Sequence, residues 1–422
     1  STQGVSSAAS DVYKRQGPAV LILPKDFGWD KIEDNFRNNA AAHKIVPNFP
    51  APRKEQIDKA LELIKEAKNP IIYFGHGAQD ASAELKEFSD KFKMPLVSSV
   101  LGKGIVEDEF PAYMGSIGRV GAKPSNDIQT HADLVVWVGN NSPFSIFFFN
   151  PKAKVIQIDI NSERLGKRHA VTVPMLADSK KTLRALIEAG EGRVESPLYK
   201  AALADRENWE AWLESFNDSD EIPMRVEPIF DVINKKAAND AVFAVDVGNV
   251  NINFDRLMHL HDDQKWTTSG LYATMGYGAP AALAAATIYP KREVWNLAGD
   301  GGFAMMNQEL LTQARYNMHI INVVFTNETL GYIEAEQVDE SHQPLSGVKL
   351  PDNDWAMSAE GMNVKGFTVR TKREFEDAVA AAQQMEGPVL IDCKITHDMP
   401  YSTELNTFCL LYTSPSPRDM RR

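Results

Sequence analysis

The chain has 422 residues and a mass of 46.9 kDa, a length that argues for two or three domains rather than one. Hydrophobic residues make up 43% and charged residues 24%, which excludes disordered and collagen-like classes and fits a soluble globular protein. A net charge of −12 argues against a broad nucleic-acid-binding face. The two cysteines, Cys393 and Cys409, cannot build a disulfide framework or a cysteine zinc site, which fits a reducing, cytoplasmic compartment.

Residues 1–16 (STQGVSSAASDVYKRQ) and 409–422 (CLLYTSPSPRDMRR) lack helical or strand periodicity, and their Ser/Arg/Pro bias resembles translated adaptor sequence. The first sixteen residues hold no apolar signal-peptide segment. Gly17 to Pro24 (GPAVLILP) reads as a buried strand, and 17–43 as the end of a domain with its linker. In the next block, 44–190, Ile57, Ala60, Leu61 and Ile64 recur at helical spacing. Ile71 to Phe74 is an apolar strand running into GHGA, Ser82 to Phe92 a helix and Leu96 to Val100 a strand. Leu134 to Val138 and Val155 to Ile160 are further strands, and Thr182 to Ala189 is a helix. Residues 191–222 form a polar connection with one helix around Trp209 and Trp212.

The block 223–408 repeats the alternation. Ile229 and Ile233 mark a helix, Ala241 to Val245 a strand and 276–288 a small-residue helix. Strand Val294–Leu297, helix Gln308–Tyr316, strand Ile320–Phe325, helix Glu374–Gln384 and strand Val389–Cys393 follow. The pattern predicts an α/β protein with two doubly wound parallel-sheet domains and a remnant strand of a third. Gly270 to Pro290 is the longest uncharged run. Its Gly/Ala content and Pro280 favour a buried helix over a membrane span. Cys393, within PVLIDCKI, reads as a buried strand thiol. His259 and His261, beside Asp262 and Asp263, read as a solvated edge, and the histidines form no metal pattern.

One motif carries chemistry. Strand VWNLAG runs into Asp300-Gly301-Gly302, and strand INVVFT runs into Asn327. Both polar residues fall at carboxyl ends of parallel strands, where open α/β sheets bind ligands. A carboxylate and an amide oxygen suit magnesium, which keeps ligand phosphates in its shell. The glycines let the backbone approach a diphosphate. Helix Gln308–Tyr316 is expected to follow this loop.

An apolar strand, GDG, and about 25–30 residues later a second strand ending in Asn resembles the diphosphate-binding motif of thiamine diphosphate enzymes. From Gly17 to about Phe408 the chain is similar to their pyruvate oxidase branch, through LGKGIV, PAYMGSIGRVGAKP, VIQIDINSERLGKRH and LYATMGYGAP. The resemblance implies Mg2+ ligands at Asp300, Asn327 and the main-chain carbonyl of Thr329. It implies a cofactor-lining turn at Val247, Gly248 and Asn249, and aminopyrimidine neighbours at Ala273 and Thr274. Met275 would sit under the thiazolium, and Leu330, Gly331, Tyr332 and Ile333 would complete the pocket. Tyr332, Glu336 and Val247 would face the substrate. The Gly-Met-Val and Gln-Trp pattern of acetolactate synthases is missing here.

For FAD the resemblance points to Gly75, Met114, Gly115, Ser116, Ile117 and Arg119. It adds Gly139, Asn140, Asn141, Ser142 and Pro143, with acids Asp159 and Asp178 for ribose or adenine. The implied cofactors are thiamine diphosphate, Mg2+ and FAD. The implied reaction converts pyruvate, phosphate and O2 to acetyl phosphate, CO2 and H2O2, in a cytoplasmic homo-oligomer, expected to be a tetramer. A quinone-linked pyruvate dehydrogenase and an acetolactate synthase-like enzyme are the alternatives, and a binding module that has lost its chemistry is a further one. The family's activating glutamate belongs to the pyrimidine-binding domain, so no residue here takes that role and the chain alone is expected to be inactive.

Overall fold

The computed structural model describes residues 24–31, 49–118, 121–141, 149–261, 263–340 and 344–397. Both end segments, the expected strand up to Leu23, and Arg119, Ser142 and Pro143 lie outside the described residues. A first unit, Ser1–Asn48, contributes a short 3-10 helix, Lys25–Trp29. The second unit, Phe49–Arg422, holds two six-stranded parallel sheets.

The first sheet comprises β1 (Pro70–Phe74), β2 (Leu96–Ser98), β3 (Tyr113–Ser116), β4 (Leu134–Val138), β5 (Lys154–Asp159) and β6 (Val173–Leu176), in the order β3-β2-β1-β4-β5-β6. The chain steps outward from β1 to β3 and then returns to place β4 beside β1, so the order reverses between β1 and β4. Helices α1 (Lys54–Glu66), α2 (Ser82–Phe92), α3 (Lys123–His131) and α4 (Ser179–Ala189) accompany it, and α5 (Pro197–Glu214) follows. The periodic residues Ile57, Ala60 and Ile64 of α1 are buried together with Leu63.

The second sheet comprises β7 (Val242–Val245), β8 (Lys265–Thr267), β9 (Val294–Gly299), β10 (Ile320–Thr326), β11 (Lys365–Val369) and β12 (Val389–Lys394), in the order β11-β12-β10-β9-β7-β8. Here the order reverses between β7 and β9. Its helices are α6 (Val226–Lys236), α7 (Asn249–Leu257), α8 (Gly278–Ile288), α9 (Asp300–Met306) and α10 (Glu309–Arg315). α11 (Gly331–Ala335), a π-helical turn at Glu336–Glu340, α12 (Trp355–Glu360) and α13 (Lys372–Ala382) follow. A capping box closes the start of α13, with Thr371 and Glu374 exchanging side-chain and backbone bonds.

A buried amide ladder crosses the middle of this sheet. Asn296 on β9 donates to Asn322 Oδ1 on β10 (2.9 Å), and Asn322 donates to Gln313 Oε1 on α10 (2.8 Å) and to the Val389 carbonyl (3.1 Å). Cys393 is a buried thiol on β12, as expected.

The two sheets meet along a polar seam. Lys103 and Asp108 form a buried ion pair at 2.8 Å, and Asp108 also accepts the backbone N–H of Leu260 at 3.0 Å. The Trp266 indole on β8 donates to the Lys103 carbonyl at 2.9 Å.

Four expectations change. Strand β2 stops at Ser98: after a last ladder bond from the Ser99 N–H to the Phe74 carbonyl, the chain leaves the sheet in a 3-10 turn at Val100–Gly102. The glycines after Asp300 open helix α9 instead of forming a loop ahead of a first helix at 308. Helix α8 is buried along one face only, since it lies on one side of the sheet. Ile288 at its end is exposed, as are Leu271 and Tyr272 before it. His259 is no solvated edge: it packs 3.2 Å from the Glu210 carboxylate on α5. Burial opposes the imidazolium there, but Glu210 outweighs it and raises the His259 pKa.

Candidate active site

The crevice at the β7/β9 reversal gathers the polar ends of three strands. Asp246 follows β7, Asp300 follows β9 and Asn327 follows β10. Asp246 organises the first wall. Its Oδ1 accepts the N–H groups of Val247 (2.7 Å) and Gly276 (2.9 Å), and its Oδ2 accepts that of Gly278 (3.0 Å). One carboxylate therefore pins the 246–249 turn to the segment that starts α8. Gly248 has φ +126°, a conformation that needs glycine. Burial raises the Asp246 pKa against the pull of these donors.

Asp300 is almost fully buried. Its Oδ1 accepts the Gly301 N–H and its Oδ2 the Glu328 N–H, both at 2.8 Å. Desolvation pushes its pKa up to about 6 in spite of these bonds, and Asp392 beneath adds repulsion. A divalent cation would offset that desolvation, so the residue suits a metal ligand.

Glycines make room for the convergence. A Cβ on Gly301 would lie 2.5 Å from Leu330 Cδ2 and 3.4 Å from Met275 Cε. One on Gly302 would lie 2.8 Å from Asp246 Oδ1. One on Gly331 would run into Asn249 Nδ2 and lie 3.4 Å from Asn327 Nδ2. Val247, Gly248, Asn249, Met275, Asp300, Gly301, Gly302, Asn327, Leu330 and Gly331 thus come together. Asn249 Oδ1 is buried without a hydrogen-bond partner among the described residues.

Thr329 follows Glu328, which is held at φ +58°. Tyr332 and Glu336 are half-buried and Ile333 is exposed on the helical stretch beyond it. Ala273, at φ +52°, and Thr274 lie at the surface of this chain, with the Thr274 N–H bonded to Ser269 Oγ at 3.1 Å. Two residues that the sequence did not single out join here. Glu334 bonds the Thr329 hydroxyl, and His397 bonds Glu334. No local pattern marks either one, because their roles arise from tertiary contact.

The β1/β4 reversal forms a second glycine-lined edge. The Gly75 N–H bonds to the Val138 carbonyl (3.0 Å) and the Gly77 N–H to the Gly139 carbonyl (2.9 Å). Gly139 has φ +58°, and a Cβ there would lie 2.5 Å from the Gly77 carbonyl carbon. A Cβ on Gly75 would lie 2.9 Å from both Asn140 Cβ and Ser99 Oγ. Asn141 accepts from Arg168 Nε at 3.2 Å. Met114, Gly115, Ser116 and Ile117 lie at the end of β3, and Ser116 donates to Asp255 on α7.

Asp159 ends β5. Its Oδ1 accepts the Asn161 N–H (2.8 Å), while Oδ2 is buried with no partner among the described residues, and desolvation raises its pKa. That orphan acceptor fits a ribose or adenine donor. Asp178 caps α4, its Oδ1 accepting the Lys181 N–H at 2.9 Å.

Comparison with known proteins agrees with the crevice geometry. The thiamine pyrophosphate enzyme C-terminal TPP-binding domain matches residues 246–393, and the central domain of the same enzymes matches residues 57–186. A pyruvate oxidase from Lactiplantibacillus plantarum is 39% identical over 406 residues, 95% of this chain and 67% of its own length. A putative thiamine pyrophosphate-containing protein of Bacillus subtilis is 32% identical over 398 residues, 94% of this chain and 68% of its own. A probable acetolactate synthase large subunit of Methanocaldococcus jannaschii is 29% identical over 405 residues, 90% of this chain and 67% of its own. With Asp300 and Asn327 at the sheet's reversal and both domains matched, the chain belongs to the thiamine pyrophosphate enzymes and uses thiamine diphosphate as its cofactor.

Proposed function

We propose that the protein is a pyruvate oxidase that converts pyruvate, phosphate and O2 to acetyl phosphate, CO2 and H2O2. The observation that carries this reading is the stretch after Asn327, where Gly331, Tyr332 and, four residues on, Glu336 follow the oxidase pattern, with Tyr332 and Glu336 half-buried on a helical stretch. The similarity to the Lactiplantibacillus plantarum pyruvate oxidase supports it.

In this reading Asp300, the Asn327 side chain and the Thr329 carbonyl hold Mg2+ against the cofactor's diphosphate. Gly301 and Gly302 give its oxygens access to backbone N–H groups. Asp246 holds Val247, Gly248 and Asn249 in place, and Met275, close to Gly301, would pack against the cofactor. Tyr332 shields the reacting centre from water, and Glu336 exchanges a proton with substrate or phosphate. Gly75, Gly139, Asn140 and Asp159 hold FAD. Bound thiamine diphosphate supplies the electron sink for decarboxylation, and bound FAD accepts two electrons.

Leu271, Tyr272 and Met305 expose large apolar area beside this crevice, which fits a face covered by a second copy in a homo-oligomer, read as a tetramer. No helix among the described residues is long and apolar enough to cross a membrane, and a cytoplasmic enzyme is the reading we keep. The domain limits proposed are 44–190 for FAD and 223–408 for thiamine diphosphate.

The test supplies the protein, together with the pyrimidine-binding region of its relatives, with pyruvate, thiamine diphosphate, Mg2+ and FAD. Acetyl phosphate and peroxide formed only when phosphate is present support the oxidase. Acetate formation with electrons passing to a quinone supports a quinone-linked dehydrogenase, and acetolactate formation supports the synthase.

A further inference from the structure

The groups behind metal ligands set how well those ligands are aimed. The tripeptide Asn327–Glu328–Thr329 carries two of the three proposed ligands, and its middle residue has a left-handed backbone that costs a non-glycine residue energy. Something must hold it there. The Glu328 N–H is tied to Asp300 Oδ2 at 2.8 Å, and the Glu328 carbonyl accepts the Leu350 N–H at 2.8 Å. The Leu330 N–H bonds to the Val348 carbonyl at 2.8 Å. That N–H and the Thr329 carbonyl belong to one planar trans peptide and point in opposite directions. The carbonyl is therefore turned away from Val348.

The Thr329 N–H also reaches Asn327 Oδ1 at 3.4 Å and its hydroxyl the Val348 carbonyl at 3.2 Å, but the shortest side-chain tether runs through one carboxylate. Glu334, buried on α11, accepts the Thr329 hydroxyl on Oε2 at 2.6 Å. The same oxygen lies 2.9 Å from His397 Nε2, and His397 Nδ1 lies 3.4 Å from the Asn327 carbonyl. Lys349 Nζ stands 4.0 Å from the other carboxylate oxygen. Asn327, His397, Glu334 and Thr329 form a closed ring around the strained tripeptide. The Thr329 hydroxyl is held on the side of Glu334 and Val348, while the main-chain carbonyl is turned away from Val348 and is the oxygen left to face a cation.

We propose that Glu334, braced by His397, is a positioning residue that aims the Thr329 carbonyl at the divalent cation of the diphosphate site. The inference rests on Asp300, Asn327 and Thr329 being the ligands. Its test is calorimetric titration of MgCl2 into the protein with thiamine diphosphate present, for wild type, Asp300→Ala, Glu334→Ala, Glu334→Gln, Thr329→Val and the Thr329→Val/Glu334→Ala pair. We expect Glu334→Ala and Thr329→Val each to weaken Mg2+ about tenfold. The pair should be no weaker than the worse single variant, because both remove one interaction. Glu334→Gln, which keeps an acceptor for Thr329, should lose less. The melting point without Mg2+ should hold while the rise on adding Mg2+ and cofactor shrinks, which a merely structural role would not produce. Unchanged Mg2+ affinity in both singles, or losses that multiply in the pair, would overturn the proposal while Asp300→Ala still abolishes binding. If Asp300→Ala binds as wild type does, the ligand assignment itself fails, and the inference with it.

Discussion

Ser116 and Asp255 share a hydrogen bond of 2.8 Å although one ends a strand of the first sheet and the other sits on a helix of the second. Ser116 ends β3 and is tied on its own side to Ser98 Oγ at 3.1 Å, while Asp255 projects from α7. Asp255 Oδ2 is buried with no partner among the described residues. Desolvation pushes the Asp255 pKa up to about 6, with Lys103 and the Ser116 hydroxyl opposing and Asp108 adding to it. The folded protein therefore binds this proton more tightly than the unfolded chain does. The stability involved is fully present below pH 3.8 and is lost as pH rises through about 6. The gap corresponds to a cost on the order of 3 kcal/mol at neutral pH. Asp255→Asn keeps the acceptor for Ser116 without the charge. Urea unfolding should show it about 1–3 kcal/mol more stable than wild type at pH 7.5 and no more stable at pH 4.

Asp300→Asn should separate stability from function. The amide retains the shape but only one of the two acceptors that Gly301 and Glu328 use, and no charge for a cation. Thiamine diphosphate affinity should lose its Mg2+ dependence, by about a hundredfold or more in calorimetry. Above pH 6 the cofactor-free variant no longer buries a carboxylate but leaves one backbone N–H without its acceptor, so its melting point should move little from that of wild type.

Gly139→Ala introduces both a left-handed alanine and a Cβ against the backbone of Gly77, which cannot retreat as a side chain can. A loss of about 2–4 kcal/mol is expected from the strain and the displaced strand ends. Flavin should no longer co-purify or bind on titration, as followed by quenching of its fluorescence. Retained flavin would remove the β1/β4 edge from the FAD reading.

Asn322→Leu breaks the amide ladder at its centre and strands the polar groups of Asn296 and Gln313 in the core. A penalty of about 2–4 kcal/mol follows from two unsatisfied buried amides. Denaturant unfolding should show a lower midpoint at an unchanged slope.

With the pyrimidine-binding region supplied, Glu336→Gln should slow pyruvate turnover at least tenfold, while calorimetry and flavin spectra show both cofactors bound. Wild-type turnover at saturating pyruvate and phosphate would remove Glu336 from the reaction.

Much of the fold was legible where strands run buried through the middle of a sheet. β1, β4, β9, β10 and β12 are continuous apolar runs because both faces are covered. β8 and β11 lie at edges and read as Lys-Trp-Thr and Lys-Gly-Phe-Thr-Val, with too little burial to leave an apolar run. β6, also at an edge, alternates buried and exposed positions. β3 hides its strand character behind Gly115 and Ser116. Asp300 and Asn327 were legible because each directly ends a recognisable strand. Glu334, His397 and the Ser116–Asp255 contact were not, since each pairing is made by the folded chain across long stretches of sequence.

All the strand pairings described in both sheets are parallel, and this shapes the order of events during folding. β1 cannot meet β4 until β2, β3 and α3 have been made, and β10 must wait for β12 while β11 is laid down outside it. Ordering such distant partners costs chain entropy before any pairing compensates for it, so folding should take seconds rather than milliseconds. During that interval Ile71 to Phe74 and Ile320 to Thr326 stand uncovered, with free backbone groups along both sides. Slow synthesis at low temperature, or a chaperone that shields extended apolar segments, should therefore raise the yield of native protein more than any change to its surface charge.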